Sequence, residues 1–180
     1  MLTYGGCMPP FDNAQRFMIL GYSGSGKSTL AESISAKRGI PLLHLDTVHW
    51  MSGWRERPEA SSAAIVSAFL DGHESWVIEG NYRGMAFDRR LDSADCIIIL
   101  NIDRFTCLRR AFMRYRRYRH GNRPDMTIGC NDKFDAEFLW WLLCRGRSRK
   151  RARFYAHIAA TYPERSIVVN TREQSSFRLP

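Results

Sequence analysis

Within GYSGSGKST, residues 21–29, the residues Gly21, Gly26, Lys27 and Ser28 fall at the spacing G-x-x-x-x-G-K-[ST], and Thr29 adds a second hydroxyl. This combination suits a chain of phosphates. The loop through Ser23, Gly24, Ser25 and Gly26 can turn successive backbone N–H groups toward anionic oxygens, with the positive end of a following helix behind them. Lys27 would reach the β- and γ-phosphates of ATP, and the Ser28 hydroxyl would ligate Mg2+. ATP and Mg2+ are therefore the expected cofactors. The loop by itself does not say where the phosphate goes.

Two acids bear on that question. Asp46 closes the apolar run IPLLHLD (40–46), and Glu79 stands near the end of SWVIEG (75–80). From a strand's carboxyl end beside a phosphate loop, a carboxylate can hold Mg2+, directly or through water, or accept the proton of an attacking hydroxyl. The plainer alternative is that each caps the next turn. GNYR (80–83) follows Glu79 and offers the Asn81 amide, the Tyr82 phenol and the Arg83 guanidinium, either as contacts to a polar acceptor or as an ordinary turn.

These residues need a frame. RFMILG (16–21) reads as a strand and KSTLAESISAKRG (27–39) as a helix, with Leu30 and Ile34 on one face and Gly39 as its stop. That strand–loop–helix order is the context the phosphate loop requires. IPLLHLD reads as a second strand, PEASSAAIVSAFLDG (58–72) as a helix, SWVIEG as a third strand, and DCIIILNID (95–103) and SIVVN (166–170) as buried strands. Five short strands separated by helices predict an α/β fold, a parallel sheet covered on both faces. Ligands of such sheets gather beyond the strands' carboxyl ends, so Asp46, Glu79, Asn101 and Asn170 are expected on one rim with the loop.

With 180 residues, 44% of them hydrophobic, the chain suits one domain, expected over 16–180. The first fifteen residues lack periodicity and read as a flexible extension. No stretch reaches the roughly 18 consecutive apolar residues of a membrane span, and the first residues have neither a basic region nor an apolar core like a signal peptide. A cytoplasmic protein with no membrane partner is the expectation. Five cysteines, odd in number and without C-x-x-C spacing, indicate neither a disulfide framework nor a zinc site.

The net charge of +9 is unevenly placed. Arg104 to Arg123 contains eight arginines and no acid, and Arg145 to Arg153 six more basic residues, so 14 of the 27 lysines and arginines lie in 29 residues. Such clustering points to a polyanion, either a nucleotide's phosphates or DNA. On a helix Phe105, Leu108, Phe112 and Tyr115 share one stripe, with Arg110, Arg114 and Arg117 opposite, a row that by itself usually faces solvent. The following HGNRPDMTIGCNDKFD (120–135) is long for a loop in a small domain and reads as a lid, which can bring arginines in as it closes and excludes water. Of the tryptophans, Trp76 is expected in the core, Trp50 and Trp54 as walls of an acceptor pocket, and at most one of Trp140 and Trp141 buried.

Beyond the loop, the sequence resembles the DNA topology modulation proteins (FlaR-type), a branch of the adenylate-kinase-like P-loop fold. The residues that carry the resemblance are GYSGSGKSTLA (21–31), IPLLHLDTVHWMSGW (40–54), WVIEGNYR (76–83), RPDMTIGC (123–130) and KFDAEFLWWL (133–142). It implies a three-layer nucleotide-kinase architecture with strand order 2-3-1-4-5, an acceptor region at about 44–72 and a lid at about 119–136. It further implies that Arg110 packs on adenine and Arg114 reaches a phosphate, that Arg119 and Arg123 are lid arginines, and that Thr171 and Arg172 lie in the adenine loop. Asp46, with His44 two residues earlier, matches an acidic strand end that touches metal or acceptor. The chain departs from the pattern at Glu79, where aspartate is usual, and at Lys133, where arginine is common. It also lacks an arginine in LHLDTVHWMSGW to clamp a monophosphate; Arg55 and Arg83 are the substitutes.

Two functions follow as expectations. The first is ATP-dependent phosphoryl transfer to a small acceptor such as a nucleotide or nucleoside, with Lys27, Arg110, Arg114 and Asp46 as catalytic groups, Ser28, Asp46 and Glu79 around Mg2+, and His44, Asp46, Trp50, Asn81, Tyr82 and Arg83 at the acceptor. The alternative is an ATP-regulated DNA-binding protein, although no helix-turn-helix, zinc finger or other DNA-reading module is apparent.

Overall fold

The computed structural model describes residues 11–119, 121, 123–130 and 134–171. Five parallel strands form the sheet: β1 (Arg16–Gly21), β2 (Leu42–His44), β3 (Trp76–Glu79), β4 (Cys96–Asn101) and β5 (Ser166–Asn170). Their spatial order is β2-β3-β1-β4-β5. The helices are α1 (Lys27–Arg38), α2 (Leu45–His49), α3 (Glu59–Gly72), α4 (Phe87–Ser93), α5 (Arg104–Tyr118), α6 (Ala136–Leu143) and α7 (Arg149–Thr161). This is the α/β P-loop fold, with helices flanking the sheet.

The continuous apolar runs explain the central strands. Phe17 to Leu20 of β1 and Cys96 to Leu100 of β4 are buried almost without exposure, as strands covered on both faces require. Trp76, at 1% exposure, seals the start of β3 and belongs to the core. Trp140 and Trp141 are exposed. Cys96, Cys107 and Cys130 are buried free thiols and Cys144 is an exposed one. Among the described residues no helix is long and apolar enough to cross a membrane.

Three expectations differ from the structure. The run 40–46 does not stay extended: β2 ends at His44 and Asp46 lies in the first turn of α2, whose Leu45 and Val48 are buried. The aromatic stripe of α5 packs only in part: its fully buried residues are Cys107 and Ala111, Leu108 packs against the core, Phe112 and Tyr115 meet the Phe134 ring at 5.2 and 5.7 Å, and Phe105 is exposed. The backbone of α5 passes directly behind the phosphate loop, which must be glycine at that point: a Cβ at Gly24 would stand 2.5 Å from the Cys107 carbonyl oxygen. Finally, the segment 11–15 is anchored to the domain through two of its residues. Phe11 and Ala14 are buried, the Phe11 ring meets Phe17 edge-on at 5.4 Å, and Arg38 donates to the carbonyls of Phe11 and Asp12. Residues 1–10 of the expected extension lie outside the described residues.

Candidate active site

The phosphate loop connects β1 to α1 at the sheet's carboxyl rim. Gly24 and Gly26 adopt positive φ, and the Lys27 ammonium donates to the Tyr22 carbonyl across the loop at 3.1 Å. Arg110 reaches from α5 to donate to the Ser25 carbonyl at 2.9 Å. The loop is also held from beneath. Asn81 Nδ2 donates to the Gly21 carbonyl at 2.7 Å, and Asn81 Oδ1 accepts from Gly21 N–H at 3.2 Å and from the Tyr155 hydroxyl of α7 at 3.1 Å. Tyr22 packs edge-on against Tyr155, and the Arg147 guanidinium lies 4.2 Å from the Tyr22 ring centre.

Above the loop opens a cavity of about 1100 Å³. Its walls carry six cationic side chains (Lys27, Lys37, Arg110, Arg114, Arg117, Arg123) against four carboxylates (Glu32, Asp46, Glu79, Asp125), an excess that favours a polyanion. Ser23, Gly24, Gly26, Ser28 and Thr29 complete the floor. The acids gather at one end. The Ser28 hydroxyl donates to Glu79 Oε1 at 3.2 Å, and the same oxygen lies 3.0 Å from His44 Nδ1, because His44 and Glu79 are register partners on β2 and β3. Burial alone would lower the His44 pKa, but the Glu79 carboxylate raises it. Burial, reinforced by the Glu79 charge, raises the pKa of Asp46.

Asp125 completes this end and was not singled out in the sequence. It is paired with Arg123 through Nε at 3.0 Å and Nη2 at 2.6 Å, and both residues are 7% exposed. Burial would raise its pKa, yet Arg123, the Ser28 hydroxyl and His44 bring it down to about 2. The adjacency of Arg123 and Asp125 in RPDM was the available signal. Tyr155 and Arg147 carried none, since their roles depend on how α7 packs behind the loop.

The remaining candidates lie elsewhere. The Tyr82 hydroxyl donates to Asp46 Oδ1 at 2.6 Å, and Tyr82 with His49, Arg57, Ser62 and Arg83 lines a second cavity of about 350 Å³. The Arg83 guanidinium lies over the Phe154 ring at 4.6 Å. Trp50 meets Trp54 edge-on at 5.2 Å above a short antiparallel pairing of Trp50–Met51 with Arg55–Glu56. Thr171 is not on the wall of the large cavity; its hydroxyl exchanges hydrogen bonds with Asp103, which caps α5. Arg119 caps the other end of α5 and is also absent from that wall. Lys133 and Arg172 lie outside the described residues.

The segment 127–130 touches residues 50–53 directly. Thr127 Oγ1 donates to the Trp50 carbonyl at 2.5 Å, Cys130 Sγ faces the Met51 carbonyl at 3.3 Å, and Gly53 N–H donates to the Gly129 carbonyl at 3.4 Å.

Among solved structures the chain is similar to a shikimate kinase from Acinetobacter baumannii in complex with shikimate, with 16% identity, TM-score 0.57, and 93% of this chain covering 92% of that one. It is also similar to a gluconokinase from Sinorhizobium meliloti 1021 (16% identity, 92% and 85% covered, TM-score 0.48) and to a deoxyadenosine kinase from M. mycoides with bound dATP (15%, 87% and 91%, 0.48). The fold is thus that of P-loop kinases. No family model matches the chain, and no curated protein matches it. The comparisons lend no support to the DNA-topology resemblance.

Proposed function

We propose that the chain is an ATP-dependent phosphotransferase acting on a small acceptor. The observation that carries this reading is the convergence of the phosphate loop, Asp46, Glu79 and the Arg123–Asp125 pair on one cavity of net positive wall charge.

The residues fit the two groups such a reaction needs. The loop amides and Lys27 suit the triphosphate, with Lys27 exchanging its Tyr22 carbonyl for phosphate oxygens. The Ser28 hydroxyl and Glu79 carboxylate, already in contact, are the oxygen donors for Mg2+, which is ordinarily held by one or two carboxylates together with phosphates and water. Among the described residues no group of three or more His, Cys, Asp or Glu is placed to hold a metal ion. When bound, the metal supplies charge neutralisation at the phosphates. The chain's own groups supply the remainder. Arg110 and Arg114 lie along the cavity and neutralise charge that develops on the transferring group, and Arg123 does so from the lid. Asp46, whose pKa is raised by burial and by Glu79, takes the proton of the attacking hydroxyl.

ATP turnover against nucleosides, nucleotides and polar alcohols, run with and without DNA, tests the reading. Transfer to a small molecule should fall about 100-fold or more in Lys27→Ala. No transferred phosphate across the panel, with wild type and Lys27→Ala alike, would rule it out. Hydrolysis stimulated by DNA alone would favour the DNA-binding alternative.

A further inference from the structure

We infer that the second cavity receives an uncharged polyol, one of whose hydroxyls replaces the Tyr82 phenol on Asp46. The inference rests on the phosphotransferase reading and specifies its acceptor.

The geometry begins with a partition. Asp46 lines the large cavity, Tyr82 lines the small one, and their 2.6 Å hydrogen bond joins the two walls. Transfer requires an acceptor oxygen about 3–3.5 Å from the phosphorus and a base within hydrogen-bond reach of its proton. The Tyr82 phenol already makes that second contact, from the acceptor side. It is not itself a suitable nucleophile, because burial and the adjacent Asp46 hold its proton firmly in place. An incoming alcohol makes the same donor contact to Asp46 once Tyr82 turns aside.

The small cavity's walls set the acceptor's charge. The acids Glu56 and Glu59 stand beside Arg57 and Arg83, so the excess of cations found in the large cavity is absent. Its basic groups are also engaged: Arg57 Nε donates to the Val48 carbonyl at 2.8 Å, Arg83 lies over Phe154, and His49 Nε2 is 3.8 Å from Glu56. A phosphate or carboxylate placed here would meet Glu56 and Glu59 as well as the two arginines, with Asp46 behind the Tyr82 hydroxyl. An alcohol would meet hydrogen-bonding partners instead. Ser62 is fully buried on this wall, and its Oγ has no hydrogen-bond partner among the described residues. The rings of His49 and Tyr82 pack on each other beside this wall, 4.5 Å apart, which fixes the position of the Tyr82 ring. About 350 Å³ lies within the usual range of small-molecule pockets.

In the transfer step the acceptor O–H proton passes to the Asp46 carboxylate as its oxygen bonds to the γ-phosphorus of ATP. The bond from that phosphorus to the β,γ-bridging oxygen breaks, and ADP leaves with the electron pair. Asp46 then returns the proton to water.

The test combines acceptor choice with Tyr82→Phe, which keeps the ring against His49 and removes only the hydroxyl. Uncharged sugars and nucleosides, paired with their phosphate esters and acids, would be compared in phosphotransfer and in calorimetric binding without nucleotide. The expected result is product from the uncharged members, about tenfold tighter binding of them to Tyr82→Phe, and faster acceptor-free ATP hydrolysis by that variant, as water reaches Asp46. Product from the monophosphates or acids alone would overturn this inference and leave the phosphotransferase reading standing. Weaker polyol binding by a folded Tyr82→Phe would also overturn it, making Tyr82 a direct ligand. ATP binding with no product from any acceptor would be the failure of the underlying reading, and of the inference with it. The wild-type acceptor comparison decides the matter even where the variant does not fold.

Discussion

Asn81 holds Gly21 by both of its backbone groups, donating to the carbonyl and accepting from the N–H, while Tyr155 donates to the same amide oxygen. A two-sided grip of this kind fixes both peptide groups that flank Gly21, where the phosphate loop departs. Asn81→Leu should therefore lower stability by about 2–3 kcal/mol, since buried backbone groups lose their partners. Asn81→Asp separates the two halves, because a carboxylate keeps both acceptor contacts and loses the donor. ATP affinity by calorimetry should fall for both variants, more for leucine.

Arg90 performs a similar service for the turn that carries Tyr82. It is fully buried, donates through Nε to the Met85 carbonyl at 2.8 Å and through Nη2 to the Tyr82 carbonyl, and lies beside the Phe87 ring at 5.3 Å. Burial brings its pKa down to about 10. Arg90→Ala should cost about 3–5 kcal/mol in denaturant unfolding, through a cavity and two carbonyls left without donors. Arg90→Met fills much of the space but supplies no donor, so it should recover only part of that loss.

These braces show where sequence reading reached and where it stopped. The strands were legible because runs such as CIIIL have one environment on both faces, and the phosphate loop because its spacing is local. The helix α2 was not, since five residues are too few to display a period, and Asp46 was accordingly placed on a strand. The packing face of α5 is legible only in part, because Leu108, Phe112 and Tyr115 pack as large apolar residues do, whereas the burial of Cys107 and Ala111 follows from where the helix lies in the fold. Asn81 and Tyr82 read as a turn or as acceptor contacts; that Asn81 serves Gly21, sixty positions earlier, follows only from the pairing of β1 with β3.

The contact between residues 127–130 and 50–53 predicts a local effect. Gly129 has φ 88, and a Cβ there would come within 2.4 Å of Ser52 Oγ. Gly129→Val should detach this segment while the sheet stays intact. Limited proteolysis within 123–130 should quicken markedly, whereas unfolding free energy falls by only about 1–3 kcal/mol. Thr127→Val, which removes the hydroxyl bonded to the Trp50 carbonyl, should produce a weaker version of the same pattern. Equal loss of protection at 123–130 and of global stability would mean that the segment is part of the folding core.

At the opposite rim, Asp95 fastens the start of β1. Its carboxylate accepts from Arg16 Nη2 at 2.7 Å, Arg16 N–H at 2.9 Å and Gln15 N–H at 3.1 Å. Burial tends to raise its pKa, but Arg16 and the two backbone donors outweigh that and lower it. A carboxyl whose pKa is lower folded than unfolded stabilises above its unfolded value, near 4, and loses that contribution as the pH falls through the folded value. Both side chains are partly exposed, so solvent screening limits the effect to about 1 kcal/mol at pH 7. Chemical denaturation of wild type and Asp95→Asn should therefore differ by about that amount at pH 7 and converge as the pH falls through the folded value. A difference that stays constant down to acid pH would place the contribution in hydrogen-bond geometry, which protonation preserves in part, rather than in the charge.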